Sequence, residues 1–343
     1  MTALLKMLVA ILITFALAAL LMPLVFREAK KIKMGQPILK YVNQHKQKAG
    51  TPTMGGIIFV LPAFAVAMIF GGNGVTIGKV AAATMLAYSI LGFLDDFIKV
   101  KFSHNDGLKP YQKIIGQLGI AVVVTIFCYR NPYIGSSINI PFIATQANLG
   151  WFYIPFCIFV FLAISNGVNL TDGLDGLAAS CNLIYFITFA AVIFISYSDA
   201  VYMGQTVYAG ELKSMMMFCG ALVGGLLVFL LANSNPARIF MGDTGSMGLG
   251  GASACVALFT QNPMLILFVG IMYIISCITV IIQVVYFKAS KGKRVFLMAP
   301  FHHHLELKGL KETKIVAIYN VVTILAGIVA IISVVAGVYG FNW

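Results

Sequence analysis

Apolar runs recur along this chain near residues 4–26, 53–70, 77–94, 112–130, 151–167, 176–196, 215–232, 246–260, 263–287 and 313–339. Most are long enough to cross a bilayer as a helix, which needs about 20 residues. In hydrocarbon the backbone must satisfy its own N–H and C=O groups, so a spanning segment is a helix or part of a closed barrel. Runs of this length without strict two-residue alternation select helix. The expectation is an all-α polytopic membrane protein with ten transmembrane helices. With 60% apolar and 10% charged residues, the composition exceeds what a soluble core needs. The loops are too short for a separate soluble unit, so residues 1–343 read as one integral membrane domain. The first run imitates a signal peptide, but it continues to Phe26 and meets Arg27, Lys30, Lys31 and Lys33, which marks a retained anchor. The eighth run is short and carries Gly245, Gly248, Gly250 and Gly251, a composition that lets neighbouring helices approach closely.

Charge orients the chain. All but four of the 23 Lys and Arg residues fall in the alternate loops 27–52, 95–113, 233–246 and 288–314. The exceptions are Lys6, Lys79, Arg130 and Lys213. Basic loops stay in the cytoplasm, so both termini are expected outside. This accounts for the net charge of +12 without a nucleic-acid partner. Six cysteines sit in or near apolar runs without a Cys-x-x-Cys pair, and read as small buried hydrophobes. In the outer loop 131–150 the alternating Ser137-Ile138-Asn139-Ile140 suggests a short hairpin.

The polar chemistry gathers in the basic loops. Asn166-Gly-Val-Asn-Leu-Thr-Asp-Gly-Leu-Asp-Gly176 lies between two apolar runs, where ionisable groups are costly and signal function. Asn166, Asn169, Asp172 and Asp175 recur every third residue. On an unbroken helix that spacing drifts about 60° per step, but Gly167, Gly173 and Gly176 favour a break. Asp95 and Asp96 open another loop at the end of a span. Adjacent helical residues point about 100° apart, so the two carboxylates should not easily share one ligand, and one should pair with Lys99 or Lys101. Lys109 and Lys113 add positive charge.

Lys48 to Gly56 reads either as a helix entry, with Thr51 as cap and Pro52 near the start, or as an anion contact through Lys48. Asp243 begins a span and either caps it or joins the other carboxylates in a divalent-cation site. Mg2+ takes oxygen ligands, with one or two carboxylates beside phosphate and water. The consecutive His302, His303 and His304 diverge on a helix, so they suit phosphate or sugar contacts better than Zn2+, and Gln283 can join them. Lys288, Lys291, Lys293 and Arg294 read as a lipid-headgroup face. The absence of Walker A and G-x-S-x-G sequences leaves ATP hydrolysis and serine chemistry unsupported. What remains is a Mg2+-dependent reaction of phosphates with at least one lipid substrate. An ion-coupled secondary transporter is the rival reading, but it predicts acidic groups at the midplane and an internal repeat.

Gly50-Thr-Pro-Thr-Met-Gly-Gly56, Asp95-Asp96, the Asn166–Gly176 segment and Phe301-His-His-His304 together resemble the polyprenyl-phosphate N-acetylhexosamine-1-phosphate transferases, over nearly the whole chain. The triple His before Leu305-Glu306 and the Thr51–Gly56 motif resemble the muramoyl-pentapeptide branch. The resemblance implies Mg2+-dependent transfer of phospho-MurNAc-pentapeptide from UDP-MurNAc-pentapeptide to undecaprenyl phosphate at the bacterial cytoplasmic membrane. The products are lipid I and UMP, and UDP-GlcNAc is the nearest alternative donor. It also implies Asp243 as metal ligand, and Asp95, Asp96, Asp243, His302 and His303 as catalytic residues, with Asp96 a base or nucleophile. Asp172, Gly173, Leu174 and Asp175 would lie by the nucleotide, with Phe240 near the uracil. Lys48, Asn169, Asn233, Gln283, His302 and His303 would surround phosphates or sugar. Thr53, Lys99, Lys113, Asn166 and His304 complete the expected substrate contacts. A homodimer, a bent ninth span and a groove for the polyprenyl chain are further implications. Direct attack by the lipid phosphate is favoured over a covalent enzyme intermediate.

Overall fold

The structure is a computed structural model and describes residues 2–31, 50–102 and 107–339. Its helices are α1 (Ala3–Lys31), α2 (Ile57–Phe70), α3 (Ile77–Phe102), α4 (Pro110–Arg130), α5 (Tyr153–Thr171), α6 (Leu177–Tyr202), α7 (Thr206–Asn233), α8 (Gly242–Phe259), α9 (Ile266–Val269), α10 (Ile271–Ala289), α11 (Phe301–Leu307) and α12 (Glu312–Tyr339). Eight helical stretches among the described residues are long and apolar enough to cross a membrane. The polytopic all-α expectation therefore holds. The other two expected spans differ: α2 is apolar but has only 14 residues, and α8 is held below the hydropathy of a lipid-facing helix by its Gly and Ser.

α8 is the axis of the fold. Every residue from Thr244 to Phe259 is buried, so the helix meets protein on all sides. Missing Cβ atoms make this possible. Gly248 lies against the Ser89 hydroxyl and Gly251 against the Tyr88 ring, both on α3. Gly250 lies against the Ser165 backbone of α5. Around this centre α7 is largely enclosed, and Gly220 and Gly224 admit Met7 and Ile11 of α1. The outer helices turn apolar side chains outward: Leu12 and Leu20 on α1, Val123 on α4, Ile281 and Val285 on α10, and Leu325 on α12. In a bilayer these faces meet lipid tails rather than water. Buried polar side chains pair between helices, Ser253 with Asn182, Thr171 with Ser276, and Ser180 with Asn320.

The hairpin expected in the 131–150 loop is present. β1 (Ser137–Asn139) and β2 (Gln146–Asn148) run antiparallel with Ser137 opposite Asn148. Asn139 pins the hairpin to the loop after α8 by donating to Gln261 O at 2.7 Å and to Asn262 Oδ1 at 3.2 Å. All six cysteines are free, and all but Cys277 are buried.

Three boundaries depart from the sequence expectation. Residues 53–56 are not helical, and Gly56, not Thr51, is the N-cap of α2, with no side-chain cap bond. The reason is tertiary. Gly55 and Gly56 donate to the carbonyls of Phe240 and Met241, and Phe240 donates to Pro52 O, so this segment pairs with the loop before α8. Secondly, α3 runs on to Phe102, so Asp95 and Asp96 sit within the helix rather than at its end. Thirdly, the ninth run is interrupted at Gly270, which separates α9 from α10.

Candidate active site

The N-terminus of α8 abuts α3 at Gly92, where a Cβ would overlap the Asp243 backbone. This approach lets Asp96 serve as the cap of α8. Its carboxylate accepts the N–H groups of Asp243 at 3.1 Å and Thr244 at 2.9 Å, and the Thr244 hydroxyl at 2.7 Å. A carboxylate there satisfies donors that lack helical partners and sits at the positive end of the helix dipole. Asp243 therefore does not cap its own helix. Its Oδ1 accepts Asn169 Nδ2 at 2.7 Å, and Asn169 also reaches Ser246 Oγ at 2.8 Å. Its Oδ2 faces Lys113 Nζ at 2.5 Å and Lys99 Nζ at 3.1 Å.

Asp95 completes the cluster. Its Oδ2 lies 2.5 Å from Lys99 Nζ and 3.0 Å from Lys113 Nζ, while Oδ1 accepts Leu108 N–H at 2.8 Å. As expected, Asp95 and Asp96 have different hydrogen-bond partners. They nonetheless converge with Asp243: one oxygen from each of the three lies within 4.8 Å of the others. Asp95 and Asp96 are 0% and 1% exposed. Carboxylates so buried need cations or donors nearby. Three carboxylates against two ammonium groups leave one formal negative charge.

Two details suit a hard cation. Gly242 adopts φ +72°, and a Cβ there would lie 2.5 Å from Asp96 Oδ2 and 2.8 Å from Thr53 Oγ1. The Thr53 hydroxyl is buried beside this cradle and has no hydrogen-bond partner among the described residues. A buried orphan oxygen next to three carboxylates matches an oxygen-ligand divalent site.

The Asn166–Gly176 segment divides. Asn166 and Asn169 lie on α5, but only Asn169 reaches Asp243; Asn166 donates to Gln117 Oε1 of α4 at 3.0 Å. The helix then ends, and a turn leads to Gly176, whose φ of +76° starts α6. Burial, with Asp243, Asp96 and Asp175 nearby, pushes the Asp172 carboxyl up to about 8. Gly173 lies directly under the buried His302 ring. Leu174 is buried. Asp175 Oδ2 accepts Asn235 Nδ2 and Ala237 N–H, each at 3.0 Å. Asn233 staples the same region, accepting Gly176 N–H at 3.1 Å and donating to Ile239 O at 2.9 Å.

The expected divergence of the three histidines on α11 holds only for His304, because the His302 and His303 rings meet edge to face with centroids 4.3 Å apart. His302 packs on Gly173, and His303 Nδ1 lies 2.7 Å from Glu306 Oε2. His304 Nδ1 accepts Leu297 N–H at 3.2 Å between the Phe296 and Phe301 rings. Burial and Lys308 hold the His304 imidazole below its usual value. Gln283 grips the same loop, accepting Phe296 N–H at 2.9 Å and donating to Phe296 O at 3.2 Å. His304 and Gln283 thus fix residues 295–297. Phe240 is half-buried, with its backbone paired to Pro52 and Gly55. Lys48 lies outside the described residues.

Two contributors escape a reading of the sequence. Asn235 donates to Glu312 Oε2 at 3.1 Å as well as to Asp175, and Glu312 Oε1 accepts Asp175 N–H at 2.5 Å. Both residues lie in or beside polar loops, where a charge or amide carries no signal of its own.

Known proteins are similar to this chain over the region that carries the cluster. Residues 78–261, which hold Asp95, Asp96, Asp172, Asp175 and Asp243, match the model of glycosyl transferase family 4. Residues 48–60 match phospho-N-acetylmuramoyl-pentapeptide-transferase signature 1. The chain is 43% identical to the phospho-N-acetylmuramoyl-pentapeptide-transferase of Clostridium perfringens (strain 13 / Type A), over 96% of this chain and 98% of that one. It is 40% identical to that of Clostridium novyi (strain NT), over 96% and 97%. It is 39% identical to that of Listeria welshimeri, over 94% and 97%.

Proposed function

The chain belongs to the phospho-N-acetylmuramoyl-pentapeptide-transferase family, and from that premise we propose how its site works. The protein is a multi-pass bacterial membrane transferase of peptidoglycan biosynthesis. It moves phospho-MurNAc-pentapeptide from UDP-MurNAc-pentapeptide to undecaprenyl phosphate, giving lipid I and UMP. The proposed setting is the cytoplasmic membrane, with one domain, ten crossings, both termini outside and the acidic cluster at the cytoplasmic face. A homodimer and a lipid-facing groove for the polyprenyl tail belong to the same reading.

The observation that carries the mechanism is the convergence of Asp95, Asp96 and Asp243 beside Lys99 and Lys113. Mg2+ is the proposed metal, held by these carboxylates with Asp243 as the principal ligand and Thr53 at the margin. When bound, it supplies positive charge to the phosphate oxygens. Lys99 and Lys113 would then turn from the carboxylates to the donor pyrophosphate. Asn169 orients Asp243 through its 2.7 Å bond. Asp172 lies on the same side, where burial and the neighbouring Asp243, Asp96 and Asp175 hold its carboxyl above the ordinary value. The 172–176 turn faces the nucleotide, and His302 and His303 face the phosphates or sugar.

An oxygen of the lipid phosphate attacks the β-phosphorus of the donor. The bond from that phosphorus to the bridging oxygen breaks, and UMP leaves with the electron pair. Direct attack suits the site better than a covalent route. Asp96, the residue expected as base or nucleophile, accepts three hydrogen bonds from the start of α8, and Asp95 and Asp243 each keep a further donor when the lysines turn away. The lipid phosphate is already an anionic nucleophile and needs none of them to attack in its place.

The test is UMP release by the purified protein in detergent with undecaprenyl phosphate. Turnover with UDP-MurNAc-pentapeptide, lost with EDTA and restored by Mg2+, is expected. Preference for UDP-GlcNAc would overturn the substrate assignment. UMP exchange without lipid would overturn direct attack.

A further inference from the structure

We infer that Glu312 and Asn235 form a latch that positions the 172–176 turn for the nucleotide end of the donor, a role that rests on the transferase reading above. Three distant stretches meet here: the turn after α5, the loop before α8 and the first residue of α12. Glu312 Oε1 accepts Asp175 N–H at 2.5 Å, and Asn235 Nδ2 donates to both Asp175 Oδ2, at 3.0 Å, and Glu312 Oε2, at 3.1 Å. One amide thus spans two carboxylates that would otherwise repel each other. Ala237 N–H adds a second donor to the same Asp175 oxygen.

The arrangement changes what Asp175 is for. An oxygen that already accepts two hydrogen bonds from the protein, beside a backbone N–H held by Glu312, holds the turn in shape rather than reaching for a ligand. Gly173, two residues earlier in the turn, packs against the His302 ring. The turn is therefore gripped by both ends of the segment from α11 to α12. Asn235 ties the same grip to the loop that ends at Gly242 and Asp243. Glu312 and Asn235 are positioning residues: they act on the donor through the turn, while the carboxylate cluster keeps its own ties through Asp96, Asn169 and the lysines.

The test compares Glu312→Ala, Glu312→Gln, Asn235→Ala and the double alanine variant with the wild type, each in detergent and with its Tm recorded. Three readouts matter: KM for UDP-MurNAc-pentapeptide, kcat, and the Kd of UMP by calorimetry. Loss of a hydrogen bond to a charged acceptor predicts that Glu312→Ala raises KM and the UMP Kd about tenfold or more. The Mg2+ concentration for half-activity and KM for the lipid phosphate should stay near wild type. Glu312→Gln keeps an acceptor for Asp175 N–H but turns an amide donor toward Asn235, so it should recover only part of the UMP affinity. Because both residues serve one latch, the double variant should lose little more than Glu312→Ala alone. Unchanged UMP affinity in Glu312→Ala, or equal losses in kcat and both KM values, would overturn the latch. If Glu312→Ala does not fold, Asn235→Ala decides by the same criteria. A wild type that neither binds UMP nor releases it would instead overturn the transferase reading.

Discussion

Asp96 ties two parts of the site together, because its carboxylate both faces the metal cradle and fixes the start of α8. Asp96→Asn replaces one acceptor oxygen with a donor that meets the N–H groups of Asp243 and Thr244. Its cost should therefore appear in metal binding as well as turnover. We expect kcat to fall and the Mg2+ requirement to rise, each roughly 10–100-fold, as found when groups that orient metal ligands are removed. A Mg2+ titration of UMP release separates the two effects, and a wild-type titration would remove Asp96 from the cradle. Asp172 gives a pH signature. Its carboxyl is pushed up to about 8 in the folded chain, above the ordinary value of about 3.9. Between those limits the unfolded chain releases a proton that the folded chain keeps. Stability therefore declines as pH rises through that window. Asp172→Asn has no proton to lose, so its Tm should fall less between about pH 5 and pH 8. Thermal unfolding in detergent across that range checks the slope, and parallel curves would contradict it.

Among the elements, α8 shows how small residues decide packing. A Cβ on Gly250 would lie 2.4 Å from the Ser165 backbone, whereas one on Gly119 of α4 would meet nothing within 4 Å. Gly250→Val should lower stability by about 1–3 kcal/mol or more through overpacking. Gly119→Ala should be neutral or stabilising by about 0.5–1 kcal/mol through helix propensity. The Tm should fall for Gly250→Val and hold or rise for Gly119→Ala. The same elements show what a sequence can and cannot reveal. Long apolar runs announce α1, α6, α7 and α12 because burial in lipid or in surrounding protein demands them. The start of α2 is hidden because Pro52–Gly56 pairs with residues about 190 positions away. Hydropathy falls at Asp95 while the helix continues to Phe102, since polarity ends a run but not a helix. Asp95, Asp96 and Asp243 are legible because a carboxylate is costly in so apolar a chain. Asn235 and Glu312 are not, because in a polar loop such residues cost nothing until the fold joins them.

At the scale of the whole molecule, the charge asymmetry and the acidic cluster make one topological prediction. In cells expressing Ala144→Cys, beside the hairpin, a membrane-impermeant maleimide should label intact cells. Lys293→Cys, in the basic loop after α10, should react only after permeabilisation. The native cysteines contribute little background, since five of the six are buried. The reverse pattern would place the site on the opposite side of the membrane. The enclosure of α8 carries a further consequence. Bilayer thickness acts on helices that touch lipid, by tilting or stretching them to match the hydrocarbon slab. The helix that carries Asp243 touches none of it, since Thr244 to Phe259 are wrapped in protein. Thicker or thinner lipids should therefore strain α1, α4, α10 and α12 and alter how the lipid substrate arrives. Affinity for the proposed divalent cation should stay the same from one acyl-chain length to the next.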